Sequence, residues 1–395
     1  MIRIKDKENC CGCSACVQAC PKNCIQMKSD TEGFLYPQAN QESCIECGLC
    51  ERVCPIINYK PKTETVLSAY AGYVKNESVR LKSSSGGLFT AIAESVLYEN
   101  GVVFGAAFDD KMHVGHIAVS GEADLDLLSG SKYVQSDINY TYAEAKKYLD
   151  EGKKVFFTGT TCQISGLKHF LRKDYSNLIT ADVLCHGTPS PKLWKKYLED
   201  QEKYYGASVE NVAFRHKKTG WKTFSIEMDF SNSATYFRKY NHDIYMMMFI
   251  GNICLRPSCH DCKFKTLERD SDLTLGDAWG INKILPELDD DKGTSVILVH
   301  SEKGQAIIDA ISDKLVIKKY DADKLLPPTA DSRRSVKRHA NREHFFRRLN
   351  EGASCVELFD IASPPRSAVG HIKRNLKKQL RNIAGIKYRI HRTDK

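Results

Sequence analysis

The chain has 395 residues, a formal net charge of +9 and a hydrophobic content of 42%. This length allows two or three domains, each large enough to bury its own core. A membrane-spanning helix needs about 18 consecutive apolar residues, and even the run from Met246 to Leu255 falls well short of that. We therefore expect no transmembrane helix.

The N-terminal cysteines form a repeat. Ten of the sixteen cysteines lie in the first 54 residues, and eight of them make two copies of C-x2-C-x2-C-x3-C-P. This pattern is typical of bacterial two-cluster ferredoxins, in which three thiolates of each run bind one 4Fe–4S cluster and the fourth binds the other. It predicts a first site made by Cys10, Cys13, Cys16 and Cys54, and a second made by Cys20, Cys44, Cys47 and Cys50. Zinc is the alternative metal, although its structural sites usually take cysteines in separated pairs.

These runs predict a ferredoxin-type domain over residues 1–58, with one run in 1–30 and the other in 35–58. The two remaining cysteines, Cys11 and Cys24, are expected to pack as small buried side chains. The cluster ligands begin so close to the N-terminus that no signal peptide fits before them. We therefore expect the protein to be cytoplasmic, where thiols stay reduced.

After a polar linker at 59–65, the pattern over residues 66–330 becomes α/β. It predicts strands at Val102–Phe108, Lys154–Phe157 and Leu178–Leu184, helices at Leu88–Leu97 and Ile138–Glu151, and a hairpin at Phe224–Tyr240. The expected fold class is α/β (α+β): an N-terminal 2×4Fe–4S ferredoxin module, a larger α/β domain, and a basic helical C-terminus over 331–395.

Three motifs of the central region are chemically suggestive. The string Ser83–Gly87 stands before a predicted helix, where small residues and the helix N-terminus favour a phosphate; a ligand-free serine cap is the alternative. Cys162 and Cys185 follow neighbouring predicted strands, whose carboxyl ends open into one crevice. The pair Cys259 and Cys262 is typical of a metal knuckle, for which zinc competes with iron and sulfur.

Seven strings together resemble one family, the coenzyme F(420) hydrogenase/dehydrogenase beta-subunit family, in the form with an N-terminal two-cluster ferredoxin. They are Ser83–Gly87, Gly130–Gln135, Gly159–Gln163, Cys185–Gly187, Phe214–Trp221, Arg256–Cys262 and Gly276–Gly280. The resemblance covers residues 1 to about 330. One departure is Thr161, where the family pattern has proline; the neighbouring cysteine is kept.

The resemblance implies an iron–sulfur flavoprotein that binds FAD and reduces or oxidises a second cofactor. It implies FAD contacts at Ser84, Ser85, Gly86, Gly87, Lys132 and Tyr133. Asp277 and Trp279 are expected in the same cleft. For proton transfer the candidates are His186 and Lys132, and an ordinary core histidine is the alternative for His186.

A flavin separated from the ferredoxin module by a domain needs an electron relay. We therefore predict a third 4Fe–4S cluster held by Cys162, Cys185, Cys259 and Cys262, with Cys254 as the alternative to Cys162. The predicted function is an oxidoreductase that passes electrons from a ferredoxin or other redox partner protein, through the clusters and FAD, to a small-molecule or cofactor acceptor. The alternative is a non-catalytic electron-transfer subunit that docks to a partner enzyme.

The positive charge is concentrated at the C-terminal end. Residues 331–395 contain 17 Lys and Arg and 6 Asp and Glu, a net charge of +11 that leaves −2 for the rest of the chain. Apolar residues at every third or fourth position predict a basic amphipathic helix over Val369–Ile386. We expect this helix to dock on its own core or on an acidic partner, with an anionic membrane surface as the alternative. The tail matches no nucleic-acid-binding module, so no nucleic-acid partner is expected.

Overall fold

The computed structural model describes residues 1–61 and 66–363, and within these ranges the chain forms thirteen strands and thirteen α-helices. The strands are β1 (Ile25–Ser29), β2 (Leu35–Ala39), β3 (Ser68–Val74), β4 (Val102–Phe108), β5 (Val114–Val119), β6 (Val155–Thr160), β7 (Leu178–Val183), β8 (Val209–His216), β9 (Ser225–Phe230), β10 (Thr235–Lys239), β11 (Leu273–Asp277), β12 (Ser295–Val299) and β13 (Leu315–Lys319). The helices are α1 (Ala15–Gln18), α2 (Leu49–Arg52), α3 (Glu77–Lys82), α4 (Leu88–Tyr98), α5 (Leu125–Leu128), α6 (Thr141–Asp150), α7 (Thr161–Leu171), α8 (Pro191–Tyr205), α9 (Ile244–Ile250), α10 (Glu302–Ala310), α11 (Ala322–Leu325), α12 (Arg342–Asn350) and α13 (Cys355–Ala362). Throughout these two ranges every helix is too short or too polar to span a bilayer.

The sequence repeat of the N-terminal module is also a structural repeat. In the first run Gly12 and Ser14 have left-handed backbone, with φ of 73° and 60°. In the second run the equivalent residues Glu46 and Gly48 have φ of 52° and 69°. Each left-handed pair is followed by one helical turn, α1 or α2, and the antiparallel pair β1–β2 lies between the runs. The two runs therefore present their cysteines from equivalent turns, as the pattern predicts.

A sheet of eight of the described strands forms the centre of the larger α/β region, in the order β13-β3-β12-β11-β7-β6-β4-β5. The four strands β4, β6, β7 and β11 are parallel, and antiparallel strands extend the sheet on both sides. The predicted strands at Val102–Phe108 and Leu178–Leu184 are confirmed as β4 and β7, and the predicted hairpin as β9 and β10. The predicted α/β fold class is confirmed.

The parallel strands bring their carboxyl ends to one edge of the sheet. Strand β6 ends at Thr160, paired in register with Val183 at the end of β7. Helix α7 begins directly after β6, and its N-terminus is capped by a capping box between Thr160 and Gln163. Cys162 is therefore in the first turn of a helix, as predicted.

The largest hydrophobic cluster joins the small sheet β8–β10 to helices from distant parts of the chain. Trp194 of α8, Tyr245 of α9 and Phe345 of α12 are buried together in it. Arg342 of α12 donates two hydrogen bonds, both of 2.6 Å, to the carboxylate of Glu32 in the N-terminal module. Helix α12 is thus packed against the ferredoxin-type module, and α13 packs against α12. The amphipathic helix predicted at Val369–Ile386 lies outside the described residues.

Candidate functional site

The first predicted cysteine set is brought together in the interior. Cys10, Cys13, Cys16 and Cys54 are all buried. Burial raises the pKa of the Cys16 thiol, and the nearby thiols of Cys10 and Cys54 raise it further. The fourth cysteine of the second run therefore lies beside the closely spaced cysteines of the first, as the ferredoxin pattern requires.

The second predicted set lies at the surface. A cavity of about 340 Å³ is lined by all four of its members, Cys20, Cys44, Cys47 and Cys50. Cys47 is exposed and Cys44 is half-buried. Backbone amides already point at these sulfurs, since the Ile2 amide donates to Cys50 Sγ at 3.3 Å and the Glu46 amide donates to Cys44 Sγ at 3.4 Å. Cys24 also borders the cavity, with its Sγ 3.4 Å from that of Cys20.

A third group of cysteines lines a larger pocket at the carboxyl edge of the sheet. This central pocket, which is open to solvent, spans about 620 Å³ and is lined by Cys11, Cys162, Cys185, Cys259 and Cys262. Burial raises the pKa of the Cys185 thiol, and Cys259 and Cys162 raise it further. The four residues of the predicted third site thus share one pocket. Cys254 does not line it; that residue is fully buried among apolar side chains.

The walls of the central pocket carry buried cations. Arg256, Lys265 and Arg269 line it, and all three are buried. Arg269 lies 3.8 Å from the carboxylate of Asp182. Within the described residues Arg256 and Lys265 have no carboxylate at ion-pair distance, and Lys265 donates only to main-chain carbonyls of His186 and Asp331. Burying an unpaired cation is costly, so this pocket fits an anionic occupant such as an iron–sulfur cluster held by thiolates.

Residues Ser83–Gly87 form the turn before α4, as predicted. This turn contacts the segment that contains Lys132 and Tyr133, the other two residues predicted to contact FAD. The Ser84 hydroxyl accepts hydrogen bonds from the amide and the hydroxyl of Ser131, at 2.7 and 2.9 Å. Gly87, with φ of 90°, precedes the first turn of α4, and no side chain among the described residues caps that turn. The turn therefore leaves helix amides available for an anionic group, as FAD phosphates would require.

Other groups near this turn are already engaged. The Ser85 hydroxyl donates to the Thr294 carbonyl at 3.0 Å, and the Gly86 amide donates to Ser295 Oγ at 2.9 Å. Lys132 is half-buried, and its ammonium donates to two carbonyls at the end of α5, at 2.9 and 2.7 Å. Burial lowers the pKa of Lys132 to about 7.

A polar network connects Tyr133 to the Gly276–Gly280 string. The buried Arg215 donates to the Tyr133 hydroxyl at 3.2 Å and to both carboxylate oxygens of Asp277, at 2.8 and 3.1 Å. Trp221 donates to the same carboxylate at 2.9 Å. The ring of Trp279 is half-exposed and stacks on that of Trp221, with centroids 4.8 Å apart and planes 4° from parallel. Tyr133, Asp277 and Trp279 are thus linked through Arg215 and Trp221, and the cleft expected to contain them stays a prediction.

His186 is held away from this network. Its Nε2 is hydrogen-bonded to Asn252 Oδ1 at 2.7 Å, and burial lowers its pKa. Its ring and that of Tyr133 both contact Phe249, with centroids 5.2 and 4.9 Å away.

Sequence patterns alone did not single out Arg215 or Arg256. Both lie within family motifs, but the role of each depends on a hydrogen bond to a residue far away in the chain: Asp277 for Arg215 and Cys10 for Arg256. Buried arginines with such partners carry no periodicity or spacing signal in a single sequence.

Two protein families match parts of this chain. Residues 9–56 match the family described as 4Fe-4S dicluster domain, and residues 152–324 match the family that describes the C terminus of the beta subunit of coenzyme F420 hydrogenase/dehydrogenase. None of the curated proteins matches the chain. Among solved structures, a chain of the F420-reducing [NiFe] hydrogenase complex from Methanosarcina barkeri is similar at 16% identity, over 81% of this chain and 94% of that one, with a TM-score of 0.46. The chain therefore combines a 4Fe–4S dicluster domain with a domain of the family that describes the C terminus of the beta subunit of coenzyme F420 hydrogenase/dehydrogenase.

Proposed function

We propose that this chain is an iron–sulfur flavoprotein oxidoreductase subunit that moves electrons between a redox partner protein, such as a ferredoxin, and a two-electron acceptor. The observation that carries the proposal is the placement of three cysteine groups: one at the surface, one buried behind it, and one in the central pocket. The chain itself also connects the three groups. Cys20 of the first run belongs to the surface set, and Cys10 of the buried set is followed directly by Cys11, which lines the central pocket.

Three residue sets would hold the clusters: Cys20, Cys44, Cys47 and Cys50 at the surface; Cys10, Cys13, Cys16 and Cys54 behind them; and Cys162, Cys185, Cys259 and Cys262 in the central pocket. Bound there, 4Fe–4S clusters would supply one-electron chemistry. Among the described residues no three His, Cys, Asp or Glu side chains are arranged to hold a single metal ion.

The exposure of the three sets suggests which one meets the partner. Cys47 is the exposed cysteine of the surface set, and the neighbouring Ile45 is 57% exposed. A partner protein that docks here would cover this apolar side chain and come closest to the surface set. The first set is entirely buried and would carry electrons onward to the central pocket.

FAD is proposed at the turn Ser84–Gly87, with Lys132 and Tyr133 beside it, and would convert between one-electron and two-electron chemistry. The first turn of α4 would receive a phosphate of the dinucleotide. The cleft with Asp277 and Trp279 would receive the acceptor. Of the two candidates for proton transfer, Lys132 suits the role better, because a pKa of about 7 lets it donate and accept near neutral pH. His186 is instead tied to Asn252.

The alternative, an electron carrier without flavin, is favoured by one observation: the Ser85 hydroxyl and the Gly86 amide already have partners within the protein. Anaerobic purification followed by heat release and chromatography separates the two functions. About one FAD per chain supports the flavoprotein. If no flavin binds even after reconstitution, the carrier function replaces it.

Iron counting tests the three sites. Three 4Fe–4S clusters require twelve irons per chain and two require eight. We expect twelve in the wild type, eight in Cys259→Ala and twelve in the matched control Cys254→Ala, since Cys254 lies outside the pocket. Eight irons with stoichiometric zinc in the wild type would refute the third cluster.

A further inference from the structure

One buried arginine lies between two of the cysteine groups. Arg256 is 1% exposed, lines the central pocket, and reaches into the ferredoxin-type module. Its Nε donates to the Cys10 carbonyl at 2.8 Å and its Nη2 to Cys10 Sγ at 3.6 Å. The remaining hydrogen bonds go to Leu35 O at 2.9 Å and to Gln135 Oε1 at 3.0 Å. The guanidinium therefore touches a predicted ligand of the first set and, at the same time, forms a wall of the central pocket.

Arg256 differs from the other deeply buried arginines in its charge partner. Arg80 lies 2.6 Å from Asp290, Arg215 lies 2.8 Å from Asp277, and Arg342 lies 2.6 Å from Glu32. Within the described part of the chain, no carboxylate lies at ion-pair distance from Arg256. A buried charge is normally paired or placed beside a metal site, because leaving it uncompensated in the interior is costly.

We propose that Arg256 is the fixed counter-cation of the clusters at Cys10 and in the central pocket, and that it raises the reduction potential of both. The proposal rests on the proposed function, since it needs clusters at these two sites. Uptake of one electron makes a cluster more negative, and a fixed positive charge in a poorly screened interior stabilises that state. The N–H donated to Cys10 Sγ acts in the same direction, because hydrogen bonds to ligand sulfur are among the groups that set cluster potentials.

The test is a redox titration of the reconstituted full-length chain, followed by electron paramagnetic resonance. In Arg256→Gln, which removes the charge, we expect the equilibrium constant for one-electron reduction to fall at least tenfold, a shift of about 59 mV to more negative potential. Arg256→Lys keeps the charge and should stay closer to the wild type. This readout separates an electrostatic role from a purely structural one.

A second variant avoids removing a buried side chain. Gln135→Glu keeps the shape of the residue and gives Arg256 the carboxylate that it lacks, at the cost of the 3.3 Å bond from Gln135 Nε2 to the Cys11 carbonyl. It should shift the potential in the same direction as Arg256→Gln. If Arg256→Gln does not retain iron, Gln135→Glu tests the role of Arg256 instead, because it leaves the guanidinium in place.

The matched control is the double variant Arg80→Gln/Asp290→Asn, which removes another buried guanidinium together with its own carboxylate. Its potentials should equal those of the wild type. Unchanged potentials in an iron-loaded Gln135→Glu would overturn the role of Arg256 while leaving the clusters intact. Absence of the two clusters from the wild type would instead overturn the proposed function.

Discussion

Cys11 and Cys162 line the same pocket, and the thiol of Cys11 lies close enough to the thiols of Cys13 and Cys162 to interact with both. Cys13 belongs to the first cysteine set and Cys162 to the central pocket. Cys11, which belongs to neither predicted ligand set, thus lies beside a member of each. Because Cys10 and Cys11 are adjacent and point to different groups, the two sites are also linked through a single peptide unit.

This contact predicts the behaviour of Cys11→Ala. The variant should keep twelve irons, since Cys11 is outside the predicted ligand sets, but a cluster at Cys13 or Cys162 should be reduced at a more negative potential. The reason is the loss of a polar thiol beside ligand sulfur, since the groups around the sulfurs help to set cluster potentials. Redox titration and iron analysis on the same sample measure both effects.

The control for Cys11→Ala is Cys355→Ala. Cys355 is also buried, but it lies in α13 within the large hydrophobic cluster. Its removal should leave all potentials unchanged. If Cys11→Ala instead loses four irons, Cys11 is a cluster ligand and not a bridge.

Much of the fold could be predicted because its signals are local. Continuous apolar runs such as Val102–Phe108 become the buried parallel strands, and the glycine turn before Cys162 becomes a capped helix start. The cysteine spacing likewise predicts the two N-terminal sets, because each run encodes its own turn. Pairing of β3 with β12 and β13 at the far side of the sheet was not predicted, since antiparallel partners so distant in sequence leave no local pattern.

The candidate site could be predicted only in part, for the same reason. Cys162, Cys185 and the Cys259 knuckle were grouped because strand ends and a short spacing point to one crevice. The position of Cys11 beside Cys162 was not predicted; a cysteine next to a ligand carries no signal of what it faces. Arg256 likewise depends on Cys10, and only the folded chain brings the two together.

Gly12 is predicted to be essential to the first site. Its φ of 73° is left-handed, and a Cβ would come within 2.8 Å of both Arg256 Nη1 and Gln135 Nε2. Gly12→Ala should therefore lower the unfolding midpoint and the iron content. The comparison is Gly152→Ala, at φ of 80° with nothing within 4 Å. That change should cost only the backbone strain, about 1–2 kcal/mol, with full iron. Equal losses in the two variants would show that the contact with Arg256 does not matter.

The lowered pKa of Lys132 predicts that the free energy of unfolding depends on pH. Burial lowers its pKa from 10.5 to about 7 in the folded chain. Between about pH 7 and 10 the unfolded chain therefore binds a proton here that the folded chain does not, so this residue makes stability rise with pH across that window. Lys132→Met should flatten the rise, as measured by thermal unfolding under anaerobic conditions at about pH 6 and about pH 9. Lys111→Met, at an exposed lysine, should not. An unchanged pH slope in Lys132→Met would contradict the lowered pKa.

Ser84 connects the two segments that are predicted to bind FAD, the turn Ser84–Gly87 and the segment with Lys132 and Tyr133. Its hydroxyl accepts two hydrogen bonds from Ser131, so Ser84→Ala removes the contact that holds the turn before α4 against the segment that carries Lys132. Each lost hydrogen bond is worth about 1 kcal/mol, so the loss of both is expected to weaken FAD binding by up to about thirtyfold.

Ser83→Ala is the matched control, since the Ser83 hydroxyl donates to the Val79 carbonyl of the preceding helix α3, at 2.7 Å. Fluorescence titration of the flavin-depleted protein with FAD gives both dissociation constants. Ser83→Ala should bind FAD like the wild type, whereas Ser84→Ala should bind it more weakly. Wild-type affinity in both variants would mean that FAD, if it binds, is held elsewhere on the chain.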